Sequence, residues 1–152
     1  LDHSPVDKVS LAHELETSKL YLDIEKVRFA ERLRIDIDIE KKAELAMVPT
    51  MLLQPLIENS IKYAISQSET GGTIRISAQI KAETLVLQVA DDGPGVPLLD
   101  GENDGSVFSQ GVGISNIRNR LQGIYSLKHK LKFSNADSGG LIVTVEIPYD
   151  RQ

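Results

Sequence analysis

The pattern of apolar residues changes its period along the chain, and each change predicts a new element. Between residues 10 and 32 apolar side chains recur at helical spacing, with Ser10 as a candidate cap, so we expect a long helix. Its inward positions are predicted to be Leu11, Leu15, Leu22 and Val27, with Tyr21, Ile24 and Phe29 beside them. Residues 33–39 then alternate between aliphatic and polar side chains, which is typical of a half-buried strand.

A second helix is predicted from Pro49 to Ser66. Pro49 would occupy its first turn, where a missing N–H costs nothing, and Pro55 would bend the helix or mark a junction between two helices. Residues 73–80 and 85–91 are two further alternating runs, separated by a link short enough for a hairpin.

The segment from about residue 92 to residue 110 is polar, rich in Gly, Pro, Asp and Ser, and without periodicity. A loop of this length in a compact domain is usually functional or disordered. A third helix is predicted over residues 112–126, followed by strands near residues 130–135 and 141–148. This order predicts an α/β (α+β) two-layer sandwich, with helices on one side of a mixed, mostly antiparallel sheet.

Composition narrows the classes of function. The 152 residues are 41% hydrophobic and 26% charged, which suits one folded domain, and no apolar run approaches the roughly 20 residues of a membrane span. The absence of cysteine excludes disulfides and thiolate metal sites. A net charge of −5 argues against nucleic acid as a partner. A polyanion such as ATP can still bind through local backbone amides and a metal ion.

The first candidate site lies in the second predicted helix, in the run Glu58-Asn59-Ser60-Ile61-Lys62-Tyr63-Ala64. Asn59 and Lys62 are three residues apart and share a helical face. An asparagine oxygen suits a Mg²⁺ ion that also holds phosphates, and a lysine supplies a point charge for phosphate. An ordinary solvated polar face would show the same pattern.

Two glycine-containing segments follow. In Asp91-Asp92-Gly93-Pro94-Gly95, the strand-end carboxylate of Asp91 can accept a hydrogen bond from an exocyclic amine such as that of adenine, although a plain Asp-Gly turn reads the same way. The segment from Gly111 to Arg118 opens a helix, where free amides can meet phosphate. It matches neither a Walker motif nor a Rossmann fingerprint, and a glycine-rich helix start is the alternative.

The order and spacing of these three segments resemble the N, G1 and G2 boxes of the GHKL superfamily, whose fold is the Bergerat sandwich. The resemblance implies that Asn59 coordinates Mg²⁺ and that Asp91 binds the adenine amine. It implies further nucleotide contacts from Lys62, Tyr63, Gly93, Gly95, Gly111, Val112, Gly113 and Ile114. ATP and Mg²⁺ are thus the expected cofactors, with residues 97–113 as a lid and Phe108 as its latch.

The run from Tyr21 to Phe29, together with Pro49 and Leu53-Gln54-Pro55-Leu56-Ile57-Glu58-Asn59, resembles the LytS-like group of sensor histidine kinases. This implies that residues 1–32 end the dimerisation and phosphoacceptor helices and that residues 33–152 form the ATP-binding catalytic domain. The expected partners are the protein's own dimerisation helices, in a homodimer, and a cognate response regulator. The implied location is the cytoplasmic side of an inner or plasma membrane sensor, with the acceptor histidine upstream of this sequence.

Two departures from the family pattern bear on chemistry. GHKL hydrolases carry a catalytic Glu where this chain has Pro55, which favours transfer to histidine over hydrolysis and leaves Glu58 as the candidate to polarise a nucleophile. Many relatives have a Thr that supports the adenine-binding Asp where this chain has Leu141, so a water or Ser138 is expected to compensate.

Several readings stay open at this point. Arg118 or Arg120 would either assist phosphate or dock elsewhere. A GHKL protein-serine kinase of the anti-sigma-factor type, and a degenerate non-catalytic nucleotide-binding or dimerisation module, are alternative functions.

Overall fold

The computed structural model describes residues 7–94 and 112–151, with the backbone alone for Val112 and Gly113. A π-helical turn, Ile61–Ile65, continues the second helix directly, and 3-10 turns occupy Ala30–Arg32 and Lys41–Leu45. The main elements in chain order are β1 (Lys8–Ser10), α1 (Leu11–Phe29), β2 (Leu33–Ile39), β3 (Met47–Pro49), α2 (Leu53–Ser60), β4 (Gly72–Lys81), β5 (Thr84–Asp91), α3 (Val112–Tyr125), β6 (Lys130–Asn135) and β7 (Leu141–Pro148).

The central sheet has five strands in the order β2-β4-β5-β7-β6. The β2–β4 pair is parallel and the other three pairs are antiparallel. Side chains such as Ile76, Leu87 and Val145 are buried on one face, whereas Asp36 and Arg75 are exposed on the other. Helices cover only the apolar face, so the predicted two-layer sandwich with a mixed, mostly antiparallel sheet is confirmed. The sequence analysis missed a second, two-stranded sheet, formed by β1 and β3.

Helix α1 begins as predicted, because the Ser10 hydroxyl accepts a hydrogen bond from the His13 amide. Two predicted inward positions are wrong: Ile24 is 67% exposed and Val27 is 86% exposed. Val27 lies five residues beyond Leu22, which turns it about 140° away from the buried stripe. The side chains of α1 that are buried instead are Leu11, Glu14, Leu15, Ser18, Leu22 and Phe29.

Helix α2 begins four residues later than the sequence suggested. Pro49 ends β3, which pairs with β1, and the helix starts at Leu53. Pro55 therefore lies in the first turn, where no amide partner is needed, and the predicted bend at Pro55 is wrong. The irregularity comes later, where the chain widens into the π-helical turn Ile61–Ile65.

The turn between β6 and β7 touches the end of β5. Gly140 has φ of +100°, in the region that favours glycine, and a Cβ there would collide with the backbone carbonyl of Asp91. The chain can reverse so close to β5 because Gly140 carries no side chain.

We expect Gly140→Ala to lower the free energy of unfolding by at least about 2 kcal/mol, from backbone strain and a clash with immovable backbone. Urea denaturation followed by circular dichroism measures this change. The matched control is Gly123→Ala in α3, where an added Cβ meets no atom within 4 Å among those described. Because alanine favours a helix, the control is expected to gain about 0.5–1 kcal/mol. Equal effects of the two substitutions would contradict the proposed close approach.

Candidate functional site

Asp91, at the end of β5, is held by groups from three parts of the chain. Its Oδ1 atom accepts hydrogen bonds from the amides of Gly93, at 3.0 Å, and Leu141, at 3.2 Å. The hydroxyl of Ser60, from α2, lies close enough to this carboxylate to lower its pKa. These contacts fix the orientation of the carboxylate. Both backbone amides donate to Oδ1, so neither of them is hydrogen-bonded to Oδ2.

The pKa of Asp91 is raised from its ordinary value of 3.8. Burial is the largest cause, because a charged carboxylate loses hydration, and the neighbouring charge of Asp92 adds to it. The hydrogen bonds from Gly93, Leu141 and Ser60 act in the opposite direction, since they stabilise the ionised form. Burial outweighs them, so the carboxylate is held at an electrostatic cost.

The second helix packs directly on the end of this strand. A Cβ added to Gly93 would lie 2.7 Å from the Cβ of Ala64, in the π-helical turn. Ser60 and Ala64 are four residues apart and therefore present one helical face to β5. The absence of a side chain at Gly93 thus allows the helical segment around Ser60 and Ala64 to contact the Asp91-Asp92-Gly93 segment.

Asn59 lies beside this contact and is half-buried. Its Nδ2 atom is buried and has no hydrogen-bond partner among the described residues. Nor do those residues contain a group of three or more His, Cys, Asp or Glu side chains that could hold a metal ion. Mg²⁺ commonly binds through one or two protein oxygens together with substrate phosphates. The Oδ1 atom of Asn59 could serve as one such oxygen, whereas the unpaired Nδ2 is a donor that suits a phosphate oxygen rather than a metal ion.

Lys62 and Tyr63 follow on the outside of the helix, and both are exposed. The Lys62 ammonium lies 5.2 Å from the centre of the Tyr63 ring, within the range of a cation–π contact. Both side chains are free of the core and can turn toward a ligand.

Glu58 faces a different direction from Ser60. Two residues along a helix correspond to a rotation of about 200°, so Glu58 lies on the flank next to α1, away from Asp91. There it accepts a weak hydrogen bond of 3.4 Å from Gln54. Burial, Glu25 and Glu58 together raise the pKa of Tyr21, on α1, to about 12. The exposed carboxylate of Glu58 therefore borders the cleft between α1 and α2.

The third predicted segment is described only in part. The backbone of Val112 and Gly113 forms the first turn of α3, and the side chain of Ile114 is buried in the core. Any contact of Ile114 with a ligand must therefore come from its backbone. Gly95 and Gly111 lie outside the described residues, as does most of the predicted lid, including Phe108.

Arg120, one of two arginines considered for phosphate, is bound to backbone. Its guanidinium donates to the carbonyl oxygens of Thr50 and Met51, in the segment before α2. Of the two roles considered for Arg120, the structure shows the second, in which its side chain binds another part of the chain, here the segment before α2.

Two groups that support Asp91 were not predicted from the sequence. Ser60 and the Leu141 amide support Asp91, where a water or Ser138 had been expected to replace the missing threonine. The available signal was the i, i+4 pair of small residues, Ser60 and Ala64, in an otherwise bulky helix. The Leu141 contact gave no signal, because a backbone amide can belong to any residue type.

The chain matches the family model described as "Histidine kinase-, DNA gyrase B-, and HSP90-like ATPase" over residues 47–151. This range begins at β3 and contains the Asn59 helix, the Asp91 strand end and α3. The matched range is more than half of the chain.

The sequence is also similar to sensor kinases over almost its full length. It is 31% identical over 146 residues to the sensor histidine kinase YesM of Bacillus subtilis, covering 96% of this chain and 25% of that protein. It is 32% identical over 158 aligned positions to the sensor histidine kinase/phosphatase LytS of Staphylococcus aureus, covering 100% of this chain and 27% of that protein. The chain thus spans about a quarter of these curated relatives.

Solved structures agree on the fold. The catalytic domain of histidine kinase ThkA superposes with a TM-score of 0.73 at 16% identity, covering 98% of this chain and 100% of that one. The histidine kinase domain of a blue-light-activated kinase from Erythrobacter litoralis gives a TM-score of 0.69 at 19% identity, covering 98% of this chain and 66% of that one. The chain therefore belongs to the histidine kinase-, DNA gyrase B- and HSP90-like ATPase family, and its sequence is similar to the sensor histidine kinases YesM and LytS.

Proposed function

We propose that this chain binds Mg-ATP at the junction of α2 and β5 and donates the γ-phosphate to a histidine upstream of this sequence. The observation that carries the proposal is the packing of Ser60 and Ala64 on Asp91 and Gly93. Through it, a carboxylate that can accept a hydrogen bond from an amine lies against the helix that carries Asn59. Family membership supports ATP as the ligand.

In this proposal the base and the phosphates are bound by different elements. Asp91 accepts a hydrogen bond from the adenine amine, and Gly93 and Gly95 leave room for the flat base. Asn59 offers its oxygen to Mg²⁺, which neutralises phosphate charge when bound, while Lys62 and Tyr63 border the phosphates and base. Backbone amides at Gly111, Val112, Gly113 and Ile114 face the phosphates at the positive end of α3.

Transfer rather than hydrolysis follows from the residues around Asn59. Pro55, four residues before Asn59, can neither take a proton from water nor orient it. Phosphoryl transfer needs positioning and charge neutralisation more than covalent chemistry. Glu58 is exposed on the flank of α2, where it can accept a hydrogen bond from an incoming imidazole and orient its nucleophilic nitrogen.

The rest of the protein is inferred from its relatives. We propose that residues 1–32 end the dimerisation and phosphoacceptor helices of a homodimer and that residues 33–152 form the catalytic domain. A response regulator is the proposed partner, since ThkA has been solved in complex with the response regulator TrrA. No described helix is both long and apolar enough to cross a membrane. We propose that the domain lies on the cytoplasmic side of a membrane sensor.

Calorimetric titration with Mg-ATP and with adenosine tests the two halves of the site. Asp91→Ala is expected to weaken both ligands at least about tenfold, because it removes the partner of the base. Asn59→Ala is expected to weaken Mg-ATP by a similar factor while leaving adenosine unchanged, because adenosine carries no phosphate or metal.

The controls for this titration are Asp38→Ala on β2 and Asn119→Ala on α3, both at exposed positions. They remove the same chemical groups away from the site and should leave both affinities unchanged. Undiminished binding of Mg-ATP by Asn59→Ala and Asp91→Ala would refute the site, and no binding by the unaltered domain would refute the proposed function.

The raised pKa of Asp91 predicts that its ionised carboxylate, the proposed partner of the base, lowers the free energy of unfolding of the nucleotide-free protein. Because the folded protein holds this proton more tightly than the unfolded chain, ionisation of Asp91 destabilises the fold as the pH rises from about 4 through the folded pKa. Asp91→Asn, which stays neutral, should therefore gain stability relative to the unaltered protein across that window. Nucleotide binding should be lost in the same variant.

Urea denaturation of both proteins at acid and neutral pH, without nucleotide, measures this difference. The expected result is a difference in unfolding free energy that grows in favour of Asp91→Asn toward neutral pH. A difference that is constant with pH would show that hydrogen bonding and burial cancel at this carboxylate, and one that grows in the opposite direction would show that its hydrogen bonds outweigh burial; either result contradicts the prediction.

A further inference from the structure

Two charged side chains from different helices hold the short segment that precedes α2. Glu14, on α1, is 5% exposed, and its carboxylate accepts hydrogen bonds from three successive amides. Those donors are Met51 at 3.2 Å, Leu52 at 2.9 Å and Leu53 at 3.2 Å. On the opposite side, the Arg120 guanidinium of α3 donates to the carbonyl oxygens of Thr50 and Met51.

These bonds meet on the same peptide groups. The group joining Thr50 to Met51 donates its N–H to Glu14 and accepts at its C=O from Arg120. The group joining Met51 to Leu52 does the same. Hydrogen bonds at both ends of a peptide group polarise it and strengthen one another. Two consecutive peptides are therefore clamped between a buried carboxylate and a guanidinium.

The backbone of the clamped segment adopts an unfavourable conformation that needs support from its surroundings. Met51 has φ of +60°, in the left-handed region that non-glycine residues rarely adopt. Its side chain is 47% exposed, so little packing stabilises this conformation. A strained residue persists where its surroundings determine it, and here those surroundings are the bonds of Glu14 and Arg120.

We propose that Glu14 and Arg120 are positioning residues for the nucleotide site and act through this clamp. The clamp sets where α2 begins, and Asn59 follows Leu53 by six residues, about 9 Å along the same helix. Asp91 lies on β5 and receives two backbone hydrogen bonds that the clamp does not touch. Loosening the clamp should therefore disturb the phosphate half of the site more than the base half, which α2 supports through Ser60 and Ala64 but which also keeps its two backbone hydrogen bonds. This inference rests on the proposed function.

The test compares Mg-ATP and adenosine affinities of Glu14→Gln, Arg120→Gln and the double variant by calorimetry. Glu14→Gln removes the charge from three hydrogen bonds and is expected to weaken Mg-ATP about tenfold and adenosine by a clearly smaller factor, so that the ratio of the two affinities changes. Arg120→Gln should act in the same direction with about a threefold loss. The double variant should lose less than the product of the two factors, because both residues hold the same peptides.

Urea denaturation of the same variants separates positioning from stability. A residue that only stabilises the fold would lower the denaturation midpoint and leave the ratio of the two affinities unchanged in the folded protein. The matched control is Glu16→Gln, an exposed glutamate on the same helix, which should alter neither. If the variants alter only the midpoint, or if their factors multiply in the double variant, the clamp is refuted as a positioning device.

The unaltered protein distinguishes the two levels of failure. If it binds Mg-ATP and adenosine while the variants keep its affinity ratio, only the role of Glu14 and Arg120 is overturned. If it binds neither ligand, the proposed function itself is overturned.

Discussion

The close packing of one helix on one strand end is the constraint on which the site depends. Gly93 has no room for a side chain because Ala64 lies against it, and Ser60 reaches the Asp91 carboxylate from the same helical face. The helix that carries Asn59 and the strand that carries Asp91 are therefore locked in register. A larger residue at Gly93 or Ala64 would separate two groups that must reach the same nucleotide.

The site also depends on α1, although that helix contributes none of the proposed nucleotide ligands. Its Leu11, Leu15, Leu22 and Phe29 side chains are part of the common core. Through Glu14 it reaches the amides that open α2, while Arg120 reaches the carbonyls beside them from α3. Three helices thus meet at one strained residue, Met51. A shift of α1 relative to the sheet would be felt at Asn59 without direct contact between α1 and a nucleotide.

The energetics of Asp91 show binding taking precedence over stability. A carboxylate in this position is disfavoured by burial and by Asp92, and its hydrogen bonds offset that cost only in part. A neutral side chain would suit the empty domain better. In the proposed function this carboxylate is the acceptor for the exocyclic amine of a base, which would account for a charge in an unfavourable place.

The sheet and the family were both predictable from local patterns in the chain. Alternation of apolar and polar residues over β2 and β4 predicts strands with one buried face, and the spacing of Asn59, Asp91 and the glycines around residue 112 identifies the family. Local patterns of this kind are reliable because they reflect the period of the backbone. Residues 47–52 have no such period. The predicted second helix therefore began too early, at Pro49, where the structure has the end of β3 followed by a strained turn.

The contacts that support α2 and Asp91 became known from the three-dimensional structure, since they join residues far apart in the chain. Val27 continued the apolar stripe predicted for α1, yet it is exposed, whereas Glu14 of the same helix is buried. The reason is that three amides left open at the start of α2 lie beside α1, and a buried carboxylate satisfies them. The support of Asp91 by Ser60 and by a backbone amide has the same origin. Hydrogen bonds between distant segments depend on which segments lie next to each other in the folded chain. A periodic pattern of side chains reports only the local backbone conformation, so it cannot predict them.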